Sequence, residues 1–274
     1  MLGDSHIHAI KEALEARGPA SAAPFRIEAR RLFKIKEISA PGEATPQRRR
    51  PWFFGRTRRD RQTRALVGDI SAREALRILR SLGPDDVLVS VIGGNQHAVF
   101  STIQHPQPFD FILSGENKAD APADGAEIIP FRTLYEYFRS SLRNNDGETV
   151  AELRRSTAAR VVHLLTPPPK RENEWIEQHH DTFFAREGIA ASGVSPPALR
   201  MKFWRLQNRA IEAICGELGV EVLGPPESAC DPDGFLLRDY YAGDATHANA
   251  RYGELVLQQL ESRFGDDERR ERAA

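Results

Sequence analysis

Cysteine is scarce in this 274-residue chain. Its two cysteines, Cys215 and Cys230, are too few to staple a small secreted scaffold and lack the CxxC spacing of a zinc or redox motif. They read as plain thiols. Long apolar runs are missing too: no stretch of about eighteen apolar residues exists to span a membrane. The first residues show no basic segment followed by an apolar one, as an export signal would. A cytoplasmic, soluble, bacterial-like protein is the resulting expectation. Net charge is also lacking, since 38 Lys plus Arg face 39 Asp plus Glu. No overall field therefore draws the chain to nucleic acid or to an anionic membrane, and partners must be argued from individual sites.

The apolar residues alternate between strand-like runs and helix-like spacing, the pattern of an α/β sheet. After the turn Gly3-Asp4-Ser5, residues Ile7 to Arg17 have helical spacing and end at Gly18-Pro19. Phe25 to Glu28 reads as a short strand and Ala65-Leu66-Val67 as a short apolar run. Ser71 with Glu74 forms a capping box for a helix through Leu82. Val87 to Ile92, β-branched and continuously apolar, has the composition of a strand buried on both faces, and it leads into Gly93-Gly94-Asn95. Further elements are a helix over Phe131 to Asn144, a strand over Arg160 to Leu165, a long helix over Ala198 to Leu218, a strand over Val220 to Leu223 and a closing helix over Ala250 to Phe264. The whole predicts one α/β domain over 1–265 with a charged, disordered tail at 266–274.

Between about 38 and 62 the chain holds Pro41, Pro46, Pro51 and a basic block around Arg48-Arg49-Arg50, an irregular surface insertion. Trp52-Phe53-Phe54 among these arginines fits base stacking with phosphate neutralisation. The neutral overall charge favours a solvated loop with an aromatic anchor instead.

Two short motifs carry chemistry. Ser5, in Gly3-Asp4-Ser5-His6, has a hydroxyl that needs an imidazole base oriented by a carboxylate to become a nucleophile. Asp244-Ala245-Thr246-His247 supplies both at a spacing that one turn can present. Asn95 follows the strongest strand at its carboxyl end, where open parallel sheets bind ligands. Each residue also has a plain structural use: Ser5 as a helix N-cap, Asp244 and His247 as turn residues, Asn95 as a turn former, Gly68 as a strand end.

With these blocks in order, the chain resembles the SGNH, or GDSL-type, hydrolases. Gly3-Asp4-Ser5 matches the first block, Gly68 the second, Gly93-Gly94-Asn95 the third and Asp244-Ala245-Thr246-His247 the last. Gln96 stands where the third block usually has aspartate. The resemblance implies a three-layer α/β/α, flavodoxin-like fold with a mostly parallel central sheet. Only Met1 and Leu2 precede Gly3, so the first strand is expected to be shortened; a true start upstream, with an export signal lost, is the alternative to the cytoplasmic reading. The resemblance also implies a serine esterase acting on a small-molecule or carbohydrate ester through Ser5, His247 and Asp244, with an oxyanion hole of Ser5, Gly68 and Asn95 and no cofactor. The acyl acceptor is open: the same triad serves an acyltransferase on a sugar or polymer hydroxyl.

The rival from another class is a metal-dependent phosphoesterase using Asp4, His6, Asp69 and His97. It suffers from the Gln96 that interrupts Gly94-Asn95-Gln96-His97 as a GNH motif. His97, Phe100 and His105 are candidate substrate-binding residues on a loop-like stretch from Gln96 to Asn117. Trp175, His179 and His180 sit on a candidate lid; adjacent histidines on a helix point apart and do not suit a shared ion.

Overall fold

The computed structural model describes residues 1–18, 26–32, 34–37, 64–67, 69–113, 122 and 124–271. Five parallel strands form the main sheet: β1 Leu2–Gly3, β2 Arg30–Arg31, β3 Val87–Val91, β4 Arg160–Leu164 and β5 Glu221–Leu223, in the order β2-β1-β3-β4-β5. Helices cover both faces, as all-parallel sheets require. They are α1 Ile7–Arg17, α2 Ala72–Ser81, α3 Gln96–Ser101, α4 Phe131–Leu142, α5 Glu148–Arg155, the short α6 Asn173–Gln178, α7 Thr182–Arg186 and α8 Ile189–Ser192, then α9 Pro197–Glu217 and α10 Ala250–Glu271.

Strand alternation divides the core in two. Leu88 of β3 and Val161 of β4 face a cluster built with Ala75 and Leu79 of α2, Phe138 of α4 and Phe203 and Leu206 of α9. Their neighbours Val89 and Val162 face the opposite cluster, with Ile7 and Ile10 of α1 and Val256, Leu257 and Leu260 of α10. This is the expected three-layer α/β/α arrangement, and the strand order reverses between β1 and β3. Ligands bind at such switch points in open α/β sheets.

Several expectations are refined. The capping box holds: Ser71 accepts from the Glu74 N–H while the Glu74 carboxylate accepts from the Ser71 N–H. The second strand of the sheet is Arg30–Arg31 rather than Phe25 to Glu28, because Leu2 pairs in register with Arg30. Arg64–Val67 is a strand, but it pairs antiparallel with Lys34–Glu37 outside the main sheet. The helix expected over Phe131 to Asn144 passes through a π-helical turn at Arg143–Gly147 into α5. The stretch read as loop after Gln96 begins as α3. α10 continues beyond Phe264 through Glu271, on a run free of proline after Gly265. The insertion's 38–63, with Trp52-Phe53-Phe54, and residues 272–274 lie outside the described residues, as does Gly68. Among the described residues no helix is long and apolar enough to cross a membrane.

Candidate active site

β1 is two residues long, and the chain turns sharply after it. The N–H of Asp4 still pairs with the carbonyl of Val91 on β3 (3.0 Å), and α1 starts at Ile7 with no side-chain cap at all. The N-cap use open to Ser5 is therefore not taken up. Ser5 is half-buried and lies at the carboxyl end of β1, beside the carboxyl end of β3.

From β3 the chain runs into Gly93-Gly94-Asn95. Both glycines have positive φ, +70° and +88°, a conformation that costs a side-chain-bearing residue dearly. Side chains from several elements hold the loop. The Gly93 N–H donates to Asp4 Oδ2 (3.2 Å) and the Gly94 N–H to Asp146 Oδ2 (3.3 Å). The Gly94 carbonyl accepts from Gln207 Nε2 (2.7 Å) and from His97 Nδ1 (2.9 Å), and Gln207 Oε1 accepts the His97 N–H (2.8 Å). Asn95 then turns its Oδ1 to His6 Nε2 at 2.6 Å.

Asp244 and His247 form a local pair. Asp244 Oδ2 accepts from His247 Nδ1 at 2.7 Å, and Asp244 Oδ1 accepts the backbone N–H groups of Thr246 (2.9 Å) and His247 (2.7 Å). Burial pushes this carboxyl upward, but the bonds from His247 and Thr246 outweigh it and hold Asp244 well below the usual carboxylate range. Such a bond fixes the imidazole with its proton on Nδ1 and a lone pair on Nε2. His247 Nε2 is buried without a hydrogen-bond partner, so its bond to Ser5 Oγ is not made here. The His247 ring lies 4.8 Å, centroid to centroid, from the ring of His6, the residue after Ser5. Burial, with His247 close by, pushes His6 down to about 3, against the opposing bond to Asn95.

Beneath the Asp244 loop lies a buried lysine. Lys170 Nζ donates to the carbonyls of Ala242 (2.8 Å) and Asp244, stands 4.0 Å from Asp244 Oδ1 and lies over the Tyr241 ring. Burial pushes it down to about 8, with Asp244 opposing. Arg200 of α9, also buried, donates in turn to the carbonyls of Lys170 (3.0 Å), Arg171 (2.9 Å) and Ser195.

The structure thus brings Asn95, Asp244 and His247 together around His6, the residue after Ser5. The four residues of the metal alternative have other commitments: Asp4 on the Gly93 N–H, His6 on Asn95, His97 on Gly94, and Asp69 in an ion pair with Lys11 at 2.7 Å. Among the described residues no group of three or more His, Cys, Asp or Glu is placed to share an ion. His97, expected in a pocket wall, is buried as a strut of the Gly94 loop. Phe100 packs against Tyr137, Phe138 and Phe203 on α4 and α9, and His105 against Phe109. His179 stacks on Trp175 at 3.8 Å, while His180 Nδ1 meets the Glu177 carbonyl. Sequence reasoning missed Lys170, Arg200, Gln207 and Asp146, since polar residues scattered through an apolar pattern carry no signal of what they hold.

No family model matches this chain, and no curated protein does. Among solved structures it is similar to Est24, a carbohydrate acetylesterase from Sinorhizobium meliloti, at 15% identity and a TM-score of 0.34, over 71% of this chain and 66% of that one. A second solved structure matches at 10% identity and a TM-score of 0.32, over 71% of this chain and 64% of its own. The chain thus spans less than two thirds of each neighbour's length. At such scores the likeness says nothing of chemistry, which has to come from this chain's own residues.

Proposed function

We propose that the chain is a serine ester hydrolase with Ser5 as nucleophile, His247 as base and Asp244 as its orienting acid. The observation that carries this reading is the Asp244–His247 pair, which leaves a buried, unpartnered Nε2 lone pair beside the residue that follows Ser5. Its order of blocks is that of the SGNH hydrolases it resembles.

Ser5 Oγ attacks the acyl carbonyl as His247 Nε2 takes its proton, and Asp244 stabilises the imidazolium. Negative charge then develops on the former carbonyl oxygen. The Ser5 N–H and the Asn95 amide N–H₂ serve as donors to it, with the Gly68 N–H added on the family pattern alone. The tetrahedral adduct collapses to an acyl-enzyme, and the alcohol leaves with the proton held by His247. Water repeats the sequence to release the acid, while an added alcohol in its place gives acyl transfer. Incubation with an organophosphonate tests the reading directly: a label on Ser5 that vanishes in Ser5→Ala is expected, together with turnover within a panel of short acyl esters, acetylated sugars and longer-chain esters. Labelling that persists in Ser5→Ala overturns the assignment.

A further inference from the structure

Resting on the esterase reading above, we infer that His6 is a positioning residue that fixes which end of the Asn95 amide faces the reacting carbonyl. The two ends of an asparagine amide have nearly the same shape and opposite polarity. Only the N–H₂ end stabilises a developing oxyanion; the carbonyl end repels it. Something must therefore select the rotamer, and in this site His6 does so. Its Nε2 lies 2.6 Å from Asn95 Oδ1, an approach that requires a proton on Nε2, because two facing lone pairs would repel. Oδ1 is thereby held at the imidazole and Nδ2 is left for the substrate.

The arrangement sets the rest of His6. With its proton on Nε2, the neutral ring has a bare lone pair at Nδ1, and that atom is buried without a partner. Around it, His247 and His97 disfavour a second proton, Asp244 and the bond to Asn95 favour one, and burial outweighs these. A neutral ring suits this place, since a cation 4.8 Å from His247 would oppose the imidazolium that His247 must become. Burying a polar nitrogen with no partner is unfavourable, and a leucine or phenylalanine here would avoid that. The Asn95 bond is the visible return for it.

A double-mutant cycle tests the inference. His6→Leu keeps the bulk and removes the donor, and should lower kcat about 100-fold, near the cost of losing one oxyanion donor, with KM shifting less than about threefold. In an Asn95→Ala background the same change should cost less than about twofold more, because its target is gone. His6→Gln, whose amide N–H can reach Oδ1, should retain more kcat than His6→Leu. Should His6→Leu fail to fold, His6→Met, which also lacks a donor, closes the same cycle with Asn95→Ala. Losses that multiply, or a His6→Leu enzyme with unchanged kcat, overturn the inference alone. A wild-type protein with neither ester turnover nor Ser5 labelling overturns the esterase reading, and this inference with it.

Discussion

Gly253→Ala is the substitution for which intrinsic helix preference and packing disagree most sharply. Gly253 lies inside α10, and alanine there is the better helix former by about 1 kcal/mol. Yet α10 crosses α1 at this point, and a Cβ on residue 253 would stand 2.0 Å from the Ala9 carbonyl oxygen, 2.4 Å from its carbon and 2.8 Å from the Ile10 nitrogen. Ordinary carbon contacts begin near 3.5 Å, so the helices must separate by more than about 1 Å. All three atoms are backbone, and none can swing aside as a side-chain tip would. Overpacking of this kind typically has a cost of about 1–3 kcal/mol or more, which overrides the gain in propensity.

The contrast is Gly216, inside α9, where an added Cβ meets nothing within 4 Å; there alanine should be neutral or stabilising by up to about 1 kcal/mol. Thermal unfolding followed by circular dichroism should show Gly253→Ala melting roughly 3–8 °C below wild type, and Gly216→Ala at or above it. Because α1 is directly preceded by Ser5 and His6, Gly253→Ala should also lose ester turnover at temperatures where it is still folded. A Gly253→Ala protein that melts with or above wild type refutes the packing argument.

Three further outcomes are expected. Asn95→Ala should cut kcat by about 100-fold or more with little change in KM, checked by steady-state kinetics; an unchanged kcat removes Asn95 from the reaction. Lys170→Met should lower Tm by a few degrees, since the buried carbonyls of Ala242 and Asp244 lose their donor, and should lower kcat at least about tenfold, because the loop bearing the proposed base slackens. A Lys170→Met protein with wild-type kcat would show that the loop holds itself. Stability should fall on acidification below pH 6.5: burial pushes His97 and His163 down to about 4 and His6 to about 3, so the unfolded chain takes up protons that the folded one refuses. Their stabilising effect is present above the ordinary value of 6.5 and is lost downward towards about 4, at up to about 1.4 kcal/mol per pH unit for each histidine; equal urea midpoints at pH 7 and pH 5 would contradict this.

Much of the fold was legible because its strongest elements are locally determined. The Ser71–Glu74 box marks its own helix start, and Val87 to Ile92 announces a strand buried on two faces. The errors fall where a long-range partner decides. Phe25 to Glu28 has the better strand composition, yet Arg30–Arg31 forms β2, since the edge of a sheet is set by register with β1. Ala65-Leu66-Val67 was visible as a short apolar run, but its antiparallel pairing with Lys34–Glu37 was not, because pairing direction leaves no mark in so short a run. Gln96–Ser101 opens a stretch that reads as an aromatic, proline-rich loop, and it folds as helix because Gln207 and Gly94 capture the His97 backbone and ring.

The site divides along the same line. Asp244 and His247 are three residues apart, so their bond needs only a tight turn, and both the motif and the preformed pair were readable. The proposed bond between Ser5 and His247 is of another kind: it joins the end of β1 to the loop before α10, and it depends on long-range packing such as that of α1 on α10. Arg17 reinforces that packing through its bonds to Glu254 and Glu261, and Gly253 permits its closeness. The partner that His247 Nε2 lacks is therefore the long-range one. It follows that the reactivity of Ser5 should respond to changes along the α1–α10 seam, far from any acyl group, more than to changes in the Asp244 turn that leave its hydrogen bonds in place.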